Sequence, residues 1–131
     1  MEFEAMRVVV VDDSTIVRER LISMISDIPS FTIVGEAGNS FEALNIIEEK
    51  NPDVVILDIK IPGDSGVEVL KKVKKMNSSI ITILLTNYPL GQYKEKCLEY
   101  GADFFFDKSE EYSKVTEVLK TLAESSTAQP L

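Results

Sequence analysis

The sequence predicts a doubly wound α/β fold, in which a parallel five-stranded sheet carries helices on both faces. Apolar runs rich in β-branched residues recur along the chain. Each is followed by a segment whose apolar residues fall at helical spacing, the signature of repeated βα units. The chain has 131 residues, a length at which one domain buries roughly two-thirds of the surface its unfolded form exposes. A core therefore forms without covalent staples. Right-handed crossovers between parallel strands leave few topologies. In an open sheet whose chain starts near the middle and then reverses direction, a crevice forms at the carboxyl ends of the strands, where ligands bind.

The first strand is read at 6–11, where four successive valines suit an element buried on both faces. A helix follows Ser14, a suitable N-cap, with Val17, Leu21, Met24, Ile25 and Ile28 on one face, and Pro29 closes it. The second strand is placed at 31–36, and the second helix follows Asn39 and Ser40 with Ala43, Leu44 and Ile47 inward. Strand three is the run DVVILD at 53–58; helix three begins near Ser65 and turns Val67, Leu70 and Val73 to the sheet. Strand four, 79–85, leads to a fourth helix whose first turn suits Pro89. Tyr93, Cys97 and Leu98 form its inner face, and Gly101 ends it. Strand five is 103–107. The last helix runs from 110 to 122, with Tyr112, Val115, Val118, Leu119 and Leu122 on its apolar side. Residues 1–5 form an N-terminal extension, 6–122 the single domain and 123–131, AESSTAQPL, a polar tail.

Composition removes several function classes. Cys97 is the only cysteine and there is no histidine, so an intramolecular disulfide, a Cys/His zinc site and a histidine-based triad are all excluded. No apolar run approaches the ~20 residues that cross a membrane, and the N-terminus MEFEAMR places acids where a signal peptide is basic. A cytoplasmic protein without membrane insertion is the expectation. The net charge of −8 opposes nonspecific attraction to nucleic acid, because the overall field repels phosphates. The lysine run KKVKK, residues 71–75, reads as a solvated helix face interrupted by the core contact of Val73. Cys97 reads as a small core hydrophobe.

The strand ends carry the chemistry. Asp12 and Asp13 follow strand one, Asp58 ends strand three, Thr86 follows strand four and Lys108 follows strand five. Three carboxylates, a hydroxyl and an ammonium would then converge on one edge of the sheet. That inventory suits a phosphoryl group and a hard divalent cation. Magnesium takes about six oxygens and retains several waters, so two or three carboxylates with a backbone carbonyl make a suitable partial cage. A metal held by Asp12 and Asp13 offsets their mutual repulsion and leaves Asp58 to attack an electrophilic phosphorus. Lys108 supplies a point charge to phosphoryl oxygens, and Thr86 a hydroxyl donor. Taken singly, each of these residues has a plainer role as a helix-start acid, a turn initiator, a strand end or a solvated lysine.

In their order and spacing, the motifs VVVVDDS, VVILDIKIPGDSG, ILLT and FFFDKS resemble the receiver domains of two-component response regulators, over residues 6 to 122. The resemblance implies a flavodoxin-like (βα)5 fold with sheet order 2-1-3-4-5. It implies Asp58 as phosphoacceptor, Asp12 and Asp13 as the acid pair binding Mg2+ with Asp58 (Mn2+ being an alternative), and the backbone carbonyl of Lys60 as a further metal ligand. Thr86 would be the switch hydroxyl, Phe105 the switch aromatic and Lys108 the phosphate-contacting lysine. Phe104 and Phe106 flank Phe105, and period-two alternation sends neighbours to opposite faces.

The family's pattern is not followed everywhere. Ser109 stands where a proline often follows the lysine, so that bond need not be cis and Ser109 could instead cap the last helix. Asn87 stands where a small residue is usual, with Tyr88 after it. Lys60 and Tyr88 occupy positions that flank the path of attacking water in such domains, and are expected to set the lifetime of the acyl phosphate.

The function expected from the resemblance is a signalling switch, no enzyme in the conventional sense, that catalyses its own phosphorylation and dephosphorylation. A histidine kinase or histidine phosphotransfer protein would supply the phosphoryl group. A downstream protein partner would read the face made by helix four, strand five and helix five, with phosphorylation-dependent homodimerisation left open. The expectation is a stand-alone receiver; the alternatives are a receiver fragment of a longer DNA-binding or enzymatic regulator, a Mg-dependent small-molecule phosphatase and a nonphosphorylated interaction module. Dehalogenase-like phosphatases place a second aspartate two residues after the first, where this chain has Lys60.

Overall fold

The computed structural model describes residues 5–87, 91–108 and 112–127. Five β-strands alternate with five α-helices: β1 (Met6–Val11), α1 (Thr15–Ser26), β2 (Phe31–Ala37), α2 (Ser40–Lys50), β3 (Val54–Leu57), α3 (Gly66–Met76), β4 (Ile81–Thr86), α4 (Gly91–Glu99), β5 (Phe104–Asp107) and α5 (Tyr112–Thr127). The strands form one sheet of order β2-β1-β3-β4-β5, and every pairing is parallel. The expected fold class, strand order and element sequence are those observed. Among the described residues, no helix is long and apolar enough to cross a membrane.

Burial follows the pleat. Val8 to Val11 and Val54 to Leu57 are all at most 1 % exposed, so the central strands are apolar on both faces because both faces are covered. Val9, Val11, Val55, Leu57, Leu84 and Phe105 pack with α2, α3 and Cys97 of α4. Val8, Val10, Val54, Ile56, Ile83 and Leu85 pack on the other side against Leu21 and Ile25 of α1 and Val115 and Leu119 of α5. Phe105 is buried in the first cluster, whereas Phe104 and Phe106 pack on the second and stack with centroids 6.2 Å apart. A buried leucine, isoleucine or valine contributes about 1.5–3 kcal/mol through area removed from water.

Local chemistry starts the helices where the sequence suggested. Ser14, Asn39 and Ser65 are N-caps whose side chains accept the backbone N–H of Val17, Glu42 and Glu68, satisfying donors that a helix start leaves free. Helix α3 turns inward slightly differently from the reading above. Val69 is fully buried and Val67 only partly so. Leu98, expected on the inner face of α4, is 44 % exposed, because Cys97 beside it takes the inward position. Helix α5 continues past residue 122 to Thr127, and Ala123 is buried against the sheet. The readings on Tyr88, Pro89, Ser109 and the side chains of Tyr93 and Tyr112 fall outside the residues described.

Lys74, within the lysine run, departs from a solvated face. Its ammonium donates to the Ile80 carbonyl at 2.6 Å and pairs with Asp103 at 3.0 Å. Asp103 also accepts the Thr82 N–H at 2.8 Å. Helix α3 is thereby fastened to the starts of β4 and β5. Lys71 and Lys72 pair with Glu68 and Asp64 on the surface.

Candidate functional site

The ladder positions the acids. The N–H of Asp12 donates to the Ala37 carbonyl at 3.0 Å and that of Asp58 to the Val11 carbonyl at 3.0 Å. Each residue is thus held as a continuation of its strand. Both sit one step beyond the apolar run, at the carboxyl edge of the sheet. Five polar or charged residues are buried among those described, and Asp12, Asp58 and Thr86 are three of them.

Lys108 bridges two of the carboxylates. Its Nζ lies 2.5 Å from Asp12 Oδ2 and 2.9 Å from Asp58 Oδ2. The three side chains are only 8 %, 2 % and 8 % exposed for Lys108, Asp12 and Asp58. The remaining oxygens are held by the backbone: Asp12 Oδ1 accepts the Ser14 N–H at 2.9 Å, and Asp58 Oδ1 accepts the Lys60 N–H at 3.2 Å. Lys108 is itself fixed through its backbone N–H, which donates to the Thr86 carbonyl at 2.7 Å. Strands β4 and β5 thus aim the ammonium at the ends of β1 and β3.

Burial pushes the Asp58 carboxyl above the usual carboxylate range, and the nearby Asp12 charge pushes the same way; the hydrogen bond and charge of Lys108 pull against both without cancelling them. Burial alone would lower the Lys108 ammonium, but its hydrogen bonds to Asp12 and Asp58, and their charges, raise it. The lysine is therefore a cation held between two anions.

Asp13 differs from Asp12. It is exposed, yet one oxygen from each of Asp12, Asp13 and Asp58 falls within 4.8 Å of the others. Three hard oxygen donors converging on a partly buried spot at a strand edge fit a divalent cation such as Mg2+, which binds through a few carboxylates and keeps its waters. Such a cation would be held by these three residues. It would supply charge compensation for an incoming phosphoryl group.

Of the residues expected at the site, Asp12, Asp13, Asp58 and Lys108 gather. Thr86 is the last residue of β4, fully buried, and reaches the group through its carbonyl. Lys60 contributes its N–H, while Phe105 lies in the core beneath.

Three residues assigned no part in the site from the sequence also shape it. The N–H of Gly66 donates to the Ile59 carbonyl at 2.6 Å. A Cβ on Gly66 would strike the Asp58 carbonyl oxygen and approach Ile59 Cα to 2.6 Å. The run IPGDSG signals a tight turn, but not this backbone contact. Buried Ser40 ties the β3–α3 loop to α2, donating its N–H to the Pro62 carbonyl at 3.0 Å and accepting the Asp64 N–H at 2.8 Å. Arg18 donates to the Asp12 carbonyl at 2.6 Å.

The comparisons agree with this geometry. The family model described as "Response regulator receiver domain" matches residues 8–120. Response regulator GacA of Pseudomonas viridiflava is 30 % identical over 114 residues, covering 87 % of this chain and 53 % of that protein. A protein-glutamate methylesterase/protein-glutamine glutaminase of Treponema denticola is 34 % identical over 124 residues, covering 92 % of this chain and 33 % of that protein. This chain spans about half or less of either relative. Among solved structures, the CheX-CheY-BeF3-Mg+2 complex from Borrelia burgdorferi contains a similar chain: 25 % identity and TM-score 0.83, over 91 % of this chain and 90 % of that one.

Proposed function

Because the chain belongs to the response regulator receiver domain family, we propose that it is a phosphorylation switch whose phosphoacceptor is Asp58. One observation carries the reading: carboxylate oxygens of Asp12, Asp13 and Asp58 meet within 4.8 Å of one another, with the Lys108 ammonium 2.9 Å from Asp58. Phosphoryl transfer asks mainly for positioning and charge stabilisation, and these residues offer both.

A carboxylate oxygen of Asp58 attacks phosphorus. An acyl phosphate O–P bond forms as the donor's P–N bond breaks, and the electron pair leaves with the imidazole of a phosphohistidine. Mg2+, held by Asp12, Asp13, Asp58 and the Lys60 carbonyl, supplies charge compensation when bound. Lys108 turns from the carboxylates to the new phosphoryl oxygens, which add about −1.5 to −2 charge, and the Thr86 hydroxyl donates to another. Movement of Thr86 allows the Phe105 ring to reorient, shifting the equilibrium between two forms of the face made by α4, β5 and α5. A downstream protein reads that face.

Receiver domains interact with histidine kinases and downstream partners; the donor of this chain is a histidine kinase or histidine phosphotransfer protein. Lys60 and Tyr88 set how long the phosphoryl group persists. Acetyl phosphate with Mg2+ tests the reading. A mass gain of one phosphoryl group on Asp58, lost in Asp58→Ala, is expected, and labelling that survives this substitution refutes the assignment. Unchanged dephosphorylation in both Lys60→Asn and Tyr88→Ala dismisses the lifetime role.

A further inference from the structure

Asp13 is the least restrained member of the acid cluster. It is exposed, and its side chain makes no hydrogen bond or ion pair among the described residues. What restrains it is the preceding peptide. Asp12 C=O and Asp13 N–H share one planar amide, so whatever holds the Asp12 carbonyl fixes the plane from which Asp13 leaves the sheet.

The sheet cannot hold that carbonyl. Asp12 N–H still uses the Ala37 carbonyl, but the next donor in parallel register would come from residue 39, where β2 has already turned into the N-cap of α2. A side chain takes over. Arg18, one turn into α1, donates Nη1–H to the Asp12 carbonyl at 2.6 Å, Nε–H to Glu36 Oε1 at 2.9 Å and Nη2–H to Thr15 Oγ1 at 3.4 Å. Its side chain is 17 % exposed. Space for the guanidinium depends on Gly38, where a Cβ would lie 3.1 Å from Nη1.

We propose that Arg18 is a positioning residue for the divalent-cation site: by holding the Asp12 carbonyl it aims Asp13, and Glu36 holds the guanidinium in place. The inference rests on the reading of Asp12, Asp13 and Asp58 as a metal site. Positioning and plain electrostatics have opposite signs here. A guanidinium beside the acid pair repels a divalent cation, so if charge were its whole effect, removing it would tighten binding. As a brace, its removal weakens binding.

Mg2+ titration of the full chain by calorimetry, with Mn2+ binding followed by electron paramagnetic resonance, reads the sign. Arg18→Met raises the dissociation constant about tenfold, the low end for residues that orient metal ligands. Arg18→Lys gives a smaller loss, because an ammonium can reach the carbonyl but cannot also fork to Glu36. Arg18→Lys carries the test should Arg18→Met not fold by circular dichroism. Affinity that is unchanged or tighter in the folded variants overturns the brace. Asp13→Asn is the companion measurement: wild-type affinity there overturns the metal site itself, whereas weakened binding there with unchanged binding in Arg18→Met overturns the brace alone.

Discussion

Replacing Lys108 by methionine removes the cation between Asp12 and Asp58 while keeping most of the side-chain volume. All three side chains are at most 8 % exposed, so water does little to screen the two carboxylates left behind. Removing one partner from a buried ion pair costs about 3–5 kcal/mol. The lower figure applies, because burial already raises the Asp58 carboxyl and it takes up a proton more readily once the lysine is gone. Unfolding entropy is roughly 2.1 cal/mol/K per residue, which over 131 residues is about 0.28 kcal/mol/K. A loss of about 3 kcal/mol thus lowers Tm by about 11 °C in metal-free buffer near pH 7.

The pH dependence has a definite sign. A carboxyl whose pKa is higher in the folded state than in the unfolded one contributes stability that is fully present below the unfolded pKa and lost as pH rises through the folded pKa. Asp58 already has a raised pKa, and removing Lys108 raises it further. The penalty in Lys108→Met is therefore smallest near pH 4 and grows toward neutrality. Mg2+ at about a hundredfold excess over its Kd returns about 2.7 kcal/mol, and returns less to wild type, where the ammonium competes for the same oxygens. Calorimetric melts at several pH values, with and without Mg2+, check this. A metal-free Tm close to wild type at every pH would refute the account of the buried triad.

Gly66→Ala drives a methyl group into the Asp58 carbonyl, so the β3–α3 loop shifts; overpacking of this kind costs about 1–3 kcal/mol, and acetyl phosphate labelling of Asp58 slows, as intact-mass kinetics will read. Lys74→Met breaks the tie from α3 to the Ile80 carbonyl and Asp103. It lowers stability by about 2 kcal/mol in urea titration while leaving labelling of Asp58 in place, since the tie lies at the opposite edge of the sheet. Cys97 is fully buried, and burial raises its thiol pKa. The native protein should therefore resist iodoacetamide and become reactive only as it unfolds in denaturant.

The fold was legible because both periodicities are strong: the apolar runs of β1 and β3 end abruptly at charges, and α1, α2 and α3 each begin at a capping Ser or Asn. The same abruptness exposed Asp12, Asp58 and Lys108, charged residues directly after apolar strands. Adjacent Asp12 and Asp13 look alike in sequence, yet one is buried on the lysine and the other faces out. That division depends on where β1 leaves the sheet. Arg18 and Gly66 were invisible for another reason: each acts on a backbone oxygen, and a backbone oxygen has no letter. The outward turn of Leu98 and the inward one of Val69 are decided by how a helix rolls against its sheet, to which spacing alone is blind.

The pleat divides the interior into two separate compartments, with Phe105 on one side and Phe104 and Phe106 on the other. A disturbance starting at Phe105 reaches Cys97 and the α3 flank directly, but meets the α1–α5 flank only through main chain. The sheet is thus a wall between two cores that repack separately. Helix α5 therefore feels a change at Phe105 only as far as β5 itself shifts.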